Sequence, residues 1–284
     1  METISTKYGD FTPQNTTNDL RRKEILPVEY HDGGALKSLP LEEQTLVATP
    51  AGDVPAELVT FHDNGELNRI FPLNGRLSGY WSQEDEAALA EATQVNTPVG
   101  PVNAILISAC FFDTGAMRSL TLWPGEAVCL ETPVGVVETR IGISFTPEGA
   151  IRSVEPAKPT IVETPVGDFQ AFDPDAVGVN GDANSLAFHP DGTVARVVST
   201  LTKLTVVSPE GKTTVFVPDT RESLCGDTET EVVPMTVEFD DDAVRIRLDP
   251  EGAAVSVPWA EHAFFTEPYL LQLDNPFTGL KCSM

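Results

Sequence analysis

Phe111-Phe112-Asp113-Thr114-Gly115-Ala116-Met117-Arg118-Ser119-Leu120-Thr121-Leu122 decides how the chain is read. An aromatic residue leads into polar and turn-forming residues, a glycine bends the chain, and after a basic residue apolar positions alternate with small polar ones. Alternation with a period of two is the mark of a strand with one buried face. The pattern recurs around Tyr30, Phe61, Phe145 and Phe188, and in degraded form around Phe239. The first copy runs Tyr30-His31-Asp32-Gly33-Gly34-Ala35-Leu36-Lys37-Ser38-Leu39-Pro40-Leu41.

A second signature alternates with the first. Thr-Pro-x-Gly occurs at Thr49–Gly52, Thr97–Gly100, Thr132–Gly135 and Thr164–Gly167, with a relative at Ser208-Pro209-Glu210-Gly211. Proline presets the backbone angle of the second turn position and glycine accepts the positive angle later, so each reads as a tight turn between strands. Successive signatures lie 48, 35, 32 and 44 residues apart, the spacing of one supersecondary module.

Within a module, Ile141, Ile143 and Phe145 point one way and Gly142 and Ser144 the other. After the glycine, a basic residue followed by alternating apolar positions appears at Lys37, Arg69 and Arg118, and less fully at Arg152 and Arg196. In the second and fifth copies this residue comes one position later. A one-residue slip would turn every following side chain to the wrong face, so a bulge or longer turn is expected in those two copies. The five basic residues then form a ladder at equivalent positions, their stems covering an apolar face and their heads reaching acidic turns. Exposed pairs of this kind contribute ~0–1 kcal/mol each and favour register more than stability. An anion-binding strip is the functional alternative.

The fold expected from these features is all-β: tandem antiparallel β-hairpin repeats forming an elongated curved sheet or solenoid, with a β-propeller as the alternative. Ser185-Leu186-Ala187-Phe188-His189-Pro190-Asp191-Gly192 looks locally like a propeller blade segment. Residues 1–24 read as a loose arm, 25–256 as the array, and 257–284 as an aromatic-rich cap closing its end. The array is interrupted at 81–92, where Ser82 can cap a short acidic-ended helix, and at 168–184, a Gly/Asp-rich insertion.

The chain carries 43 acidic and 18 basic residues, a net charge of −25. Nucleic acid and anionic membranes need clustered Lys and Arg, so both are excluded as nonspecific partners, and a charged partner is expected to be a protein with a basic surface. Acidity also keeps an extended protein soluble. No apolar run approaches the length that spans a bilayer, so membrane insertion is not expected. Cys110, Cys129, Cys225 and Cys282 show no paired metal or dithiol spacing and fit reduced thiols of a cytoplasmic protein.

Candidate chemistry is sparse. His31, His62 and His189 follow the aromatic in three copies and invite a metal row, or a structural role left by duplication. Asp32, Asp63, Asp113, Glu148 and Asp191 supply one turn carboxylate per copy, too few oxygens for calcium at any one turn. Asp173, Asp175, Asn180 and Asp182 concentrate oxygens in one loop and are the candidate cation ligands, without the full spacing of a calcium loop. No nucleophile elbow, zinc-protease helix or phosphate-binding glycine loop occurs, no cofactor is implied, and no catalytic residue is assigned.

Phe61-His62-Asp63-Asn64-Gly65-Glu66-Leu67 and Phe145-Thr146-Pro147-Glu148-Gly149-Ala150-Ile151-Arg152-Ser153 resemble the modules of bacterial tandem-hairpin proteins near the MORN-like repeats. The resemblance spans residues 30 to about 245 and implies an array that binds lipid or protein partners through its repeat surface. The function expected is therefore a non-enzymatic binding or scaffold module. A propeller-type hydrolase with a carboxylate site and a calcium-binding protein are the alternatives.

Overall fold

The computed structural model describes residues 3–177, 184–222, 230–249 and 252–270. Strands dominate them, the paired strands run antiparallel, and no sheet among the described residues closes on itself. The chain divides into two compact units, 1–157 with 176–193 and 158–175 with 194–284.

In the first unit the strands Glu29–Tyr30, Leu36–Thr49, Gly52–Phe61, Leu67–Phe71, Leu106–Phe111, Met117–Leu122, Gly135–Phe145, Ile151–Pro156 and Leu186–Phe188 lie side by side in chain order. The aromatic-to-glycine turns line one edge of this meander. In all five, the N–H after the aromatic donates to the carbonyl four residues on at 2.8 Å: His31 to Ala35, His62 to Glu66, Phe112 to Ala116, Thr146 to Ala150 and His189 to Thr193. The glycine N–H donates back to the first residue of each turn, and Gly34, Gly65, Gly115, Gly149 and Gly192 all take φ between +82° and +91°. This closure is a tight turn with a glycine bulge, which keeps the strand twist across a three-residue loop. Ser208–Gly211, expected to follow the Thr-Pro-x-Gly form, closes in this manner as well, with Ser208 N–H bound to Lys212 O.

A register shift follows the turn. Tyr30 pairs with Leu36 but Glu29 with Ser38; Phe61 pairs with Leu67 but Thr60 with Arg69. Phe111 and Cys110 pair with Met117 and Ser119, and Phe145 and Ser144 with Ile151 and Ser153. Slack confined to the second and fifth copies is thus incorrect. One extra residue is present in each of the first four copies, at Lys37, Asn68, Arg118 and Arg152, because the glycine closure itself adds a residue to one strand.

The Thr-Pro-x-Gly turns sit at hairpin tips, and the first three of these hairpins are built at the opposite ends of the first unit's strands. In each, the threonine hydroxyl donates to the glycine carbonyl at 2.6–2.7 Å and accepts the N–H of the residue before the glycine. The hairpins 45–56, 93–104 and 127–140 lie back across the sheet, since their tips reach the row of aromatic turns. A Cβ built on Gly115 meets Pro50 at 3.9 Å, one on Gly149 meets Pro98 at 3.0 Å, and one on Gly192 meets Pro133 at 3.4 Å. The core lies between the layers: Leu39, Val59, Phe61, Ile70, Phe111, Leu120, Ile143, Phe145 and Leu186 from the sheet meet Val47, Val54, Val95, Val102, Leu130 and Val137 from the hairpins, all buried. Each such side chain contributes about 1.5–3 kcal/mol through burial.

Ile141 departs from the expected alternation. Ile143 and Phe145 are fully buried, but Ile141 takes φ +58° where strand Gly135–Phe145 shifts register between Arg140 and Ile143 on its way from hairpin to sheet.

The described part of the expected loose arm, residues 3–24, is instead tied to the sheet. Ile4–Thr6 and Gly9–Phe11 form a hairpin closed by Thr6 and Gly9 with the same threonine bond, at 3.0 Å. Tyr8 of this tip lies 6.4 Å from the Phe61 ring and donates to Glu66 at 2.5 Å, while Pro13 bridges Leu41 on the edge of the sheet. The expected helix is present as Gln83–Ala87, with Ser82 and Asp85 forming a reciprocal capping box.

The second unit contains the hairpin 160–171, the strands Val194–Ser199, Met235–Phe239, Ala243–Arg247 and Val255–Pro258 in one sheet, and Thr202–Val207 between Thr213–Phe216 and Ala263–Pro268. Its core includes an aromatic chain from Phe169 through Phe239 and Trp259 to Phe264, with ring centroids 6.1–6.3 Å apart. The tail proposed as a cap contributes the strand Ala263–Pro268; residues 271–284 lie outside the described residues. Among the described residues no helix is long and apolar enough to cross a membrane.

Candidate functional site

The basic ladder divides in two. Lys37, Arg118 and Arg152 are bulge residues, whereas Arg69 is one position further and pairs with Thr60 and Cys110. Arg196 lies four residues after Gly192, as Arg69 does after Gly65, and pairs with Glu238. The five residues therefore do not share one equivalent position. Lys37 is exposed beside Glu29, 3.1 Å away, and Arg152 is exposed. Arg69 is half-buried, its Nε donating to Cys110 Sγ at 3.0 Å and its guanidinium 5.5 Å from the Phe71 ring centroid. It stands in a cross-strand row of otherwise small residues, Ser38, Thr60, Cys110, Ser119, Ser144, Ser153 and Ala187.

Two of the histidines tie neighbouring turns together. His31 Nε2 lies 3.0 Å from the Phe61 carbonyl and His62 Nε2 3.0 Å from the Phe111 carbonyl. Asn64 Nδ2 adds a bond to Asp113 O at 2.8 Å. The turn carboxylates Asp32, Asp63, Asp113, Glu148 and Asp191 are exposed. Asp191 accepts the hydroxyl and N–H of Thr193, which hold its carboxyl below the usual range. Of the candidate cation ligands, Asp173 accepts the Asp175 N–H at 3.0 Å, while Asn180 and Asp182 lie outside the described residues. No three His, Cys, Asp or Glu side chains among the described residues converge as metal ligands would.

One charged cluster is buried. Arg21, from the segment read as an arm, bonds both oxygens of Glu57 at 2.8 and 2.6 Å and both oxygens of Glu86 at 2.7 Å. Glu86 also accepts from Trp81 Nε1 and Gly75 N–H, and Glu57 from Asn74 N–H. Burial pushes the Glu86 carboxyl upward, but the bonds from Arg21 and Trp81 outweigh it and hold the group below its ordinary value. The same cluster raises Arg21 against the opposing effect of burial. With every side chain engaged and shielded, the cluster fastens the N-terminal segment and the helix to strand Gly52–Phe61.

The accessible surface of distinct character is the outward side of the hairpin layer in the first unit. The hairpins lie in the order 45–56, 93–104, 127–140: Asn96 N–H binds Ala51 O at 2.8 Å, and strands Gly100–Ala104 and Ala127–Thr132 are in contact. Alternation buries Val47, Val95, Val102, Leu130 and Val137 and leaves their strand neighbours outward. The outward cross-strand pairs are Leu46 with Pro55, Ala48 with Asp53, Gln94 with Asn103, Asn96 with Pro101, Cys129 with Glu138 and Glu131 with Val136. These positions hold three carboxylates, three amides, several apolar side chains and no cation; Arg140, paired with Ala127, stands at the foot of the third hairpin. Leu46 is 67% and Val136 63% exposed, so the face is open across its width. The sequence signal for it was present as alternation within each hairpin, but the side-by-side placement was not. No family model matches the chain, and neither a curated protein nor a solved structure does.

Proposed function

We propose that the protein is a non-enzymatic binding module of the tandem-hairpin kind, and that the outward hairpin face of its first unit engages a protein with a basic surface. The observation that carries this reading is the composition of that face: carboxylates at Asp53, Glu131 and Glu138 are interspersed with amides and exposed Leu46 and Val136. Amides and apolar side chains supply contact area, and the carboxylates supply steering and register for a cationic partner. The net charge of −25 extends that attraction beyond the face. The shared closure of the five turns, and their resemblance to tandem-hairpin modules, support a rigid platform that holds the hairpins side by side.

The test must separate the face from general acidity. Calorimetry with a synthetic peptide alternating Lys and Val should show saturable binding to the wild-type chain. Asp53→Lys with Glu131→Lys should weaken it at least about tenfold, whereas Asp63→Lys with Asp113→Lys, the same change in net charge on exposed turns, should change it about twofold at most. Equal losses in both double variants would defeat the assignment.

A further inference from the structure

Counting four residues onward from Arg69, Ser119 and Ser153, which occupy one cross-strand row, reaches Leu73, Trp123 and Ala157. Each lies where the sheet gives way to a hairpin, and cavities open there. Leu73 lines one of about 370 Å³. Trp123 and Ala157 together line a larger one of about 550 Å³, at the foot of the third hairpin. That volume falls within the range of pockets that hold small organic molecules.

The walls of the larger cavity are mainly apolar, from Ile107, Leu122, Trp123, Ile141 and Ala157, with Glu126 and Arg140 as the charged residues of the lining. Ile141 is the strained residue at φ +58°, a conformation that a β-branched side chain rarely adopts. Strain held at a cavity wall is a feature of sites shaped for a ligand. Glu126, also on the wall, is already occupied by the Ile105 N–H at 3.1 Å. The Trp123 main chain is anchored, its N–H on Ile105 O at 2.9 Å, while its indole N–H meets no acceptor among the described residues. The third copy thus places a large flat aromatic ring with a spare donor where the other copies have Leu73 or Ala157.

We infer that this cavity binds a small molecule with a planar apolar ring and one hydrogen-bond acceptor, the ring packing against Trp123 and the acceptor taking its indole N–H. None of the three carboxylates assigned to the outward hairpin face lines this cavity. A protein that meets its partner on one surface and takes a small ligand at the hairpin foot has two separable binding activities.

The probe is 6-propionyl-2-dimethylaminonaphthalene, whose naphthalene carries a carbonyl acceptor and whose emission shifts to the blue on leaving water; 2-dimethylaminonaphthalene is the ring without the acceptor. Saturable binding of the carbonyl probe at one site is expected. Trp123→Phe keeps a ring but removes the donor, and should weaken the carbonyl probe about fivefold while leaving the ring-only compound unchanged. Ala127→Trp fills the cavity from an exposed wall position, and should abolish binding of both with an unchanged melting temperature. Absence of a saturable signal, or undiminished binding by Ala127→Trp, would overturn the site. Equal affinity of Trp123→Phe and wild type for the carbonyl probe would overturn the assigned acceptor.

Discussion

Replacing Arg21 by Met tests the physical account of the first unit most directly. The substitution keeps an unbranched stem of similar reach and deletes four hydrogen bonds to two carboxylates whose side chains are 8% and 6% exposed. Glu57 retains the Asn74 N–H, and Glu86 retains Trp81 Nε1 and the Gly75 N–H, but neither keeps a cation. Breaking a buried ion pair from one side costs about 3–5 kcal/mol, because a charge is left in a poor solvent. For a unit of this size, about 2–4 °C of melting temperature corresponds to each kcal/mol, so a fall of about 6–20 °C is expected by calorimetry at neutral pH. The sign of the pH dependence follows from Glu86. Its folded pKa is depressed in the wild type, so its contribution is present above the unfolded carboxylate pKa and is lost as pH falls through the folded value. In Arg21→Met the Glu86 carboxylate, buried without its cation, prefers to be protonated, so acidification relieves the variant over a range in which the wild type still keeps this contribution. The difference in melting temperature should therefore narrow from about pH 8 to about pH 5. The triple variant Arg21→Met, Glu57→Gln, Glu86→Gln removes the buried charges and should recover much of the loss. A deficit under about 1 kcal/mol, or one that does not change with pH, would refute the reasoning, since it would mean that water already solvates the cluster.

Three glycine substitutions, one of them a control without neighbours, probe close approaches in the same unit. Gly149→Asn should lower stability by about 1–3 kcal/mol and Gly125→Asn by under about 1 kcal/mol in parallel denaturant titrations, because asparagine tolerates positive φ at both but only Gly149 has a neighbour, Pro98 Cβ, 3.0 Å from the new Cβ. Gly75→Ala should cost about 1–3 kcal/mol, since a Cβ there would lie 2.1 Å from a Glu86 oxygen and must displace a buried carboxylate; a stability equal to wild type would show that Glu86 can move freely.

Much of the local structure is written locally. The glycine after each aromatic marks a positive φ, the threonine hydroxyl marks its hairpin, and Ser82 with Asp85 marks a helix start, because each rests on bonds within a few residues. What escaped sequence reading depends on distant partners. Arg21 falls in the segment read as a loose arm, and nothing near it indicates Glu57 and Glu86, which lie 36 and 65 residues away. The Thr6–Gly9 hairpin carries Lys7 and Tyr8 where the other copies have proline followed by alanine or valine, so the proline-based signature passed over it. The basic ladder was misaligned because counting from the glycine does not reveal that a bulge residue consumes one position. The outward hairpin face needed the lateral order of three hairpins, which alternation within each cannot supply.

Pro50, Pro98 and Pro133 meet glycines 51 to 65 residues further along the chain, each time skipping one intervening aromatic turn. Energetic coupling therefore reaches past the adjacent copy, unlike that of a solenoid in which each repeat touches only its neighbours. A fragment holding two copies would contain no complete meeting of tip and turn. The smallest piece of the first unit able to fold cooperatively is accordingly larger than the sequence repeat, and shortening it from either end should remove stability in steps that span three copies.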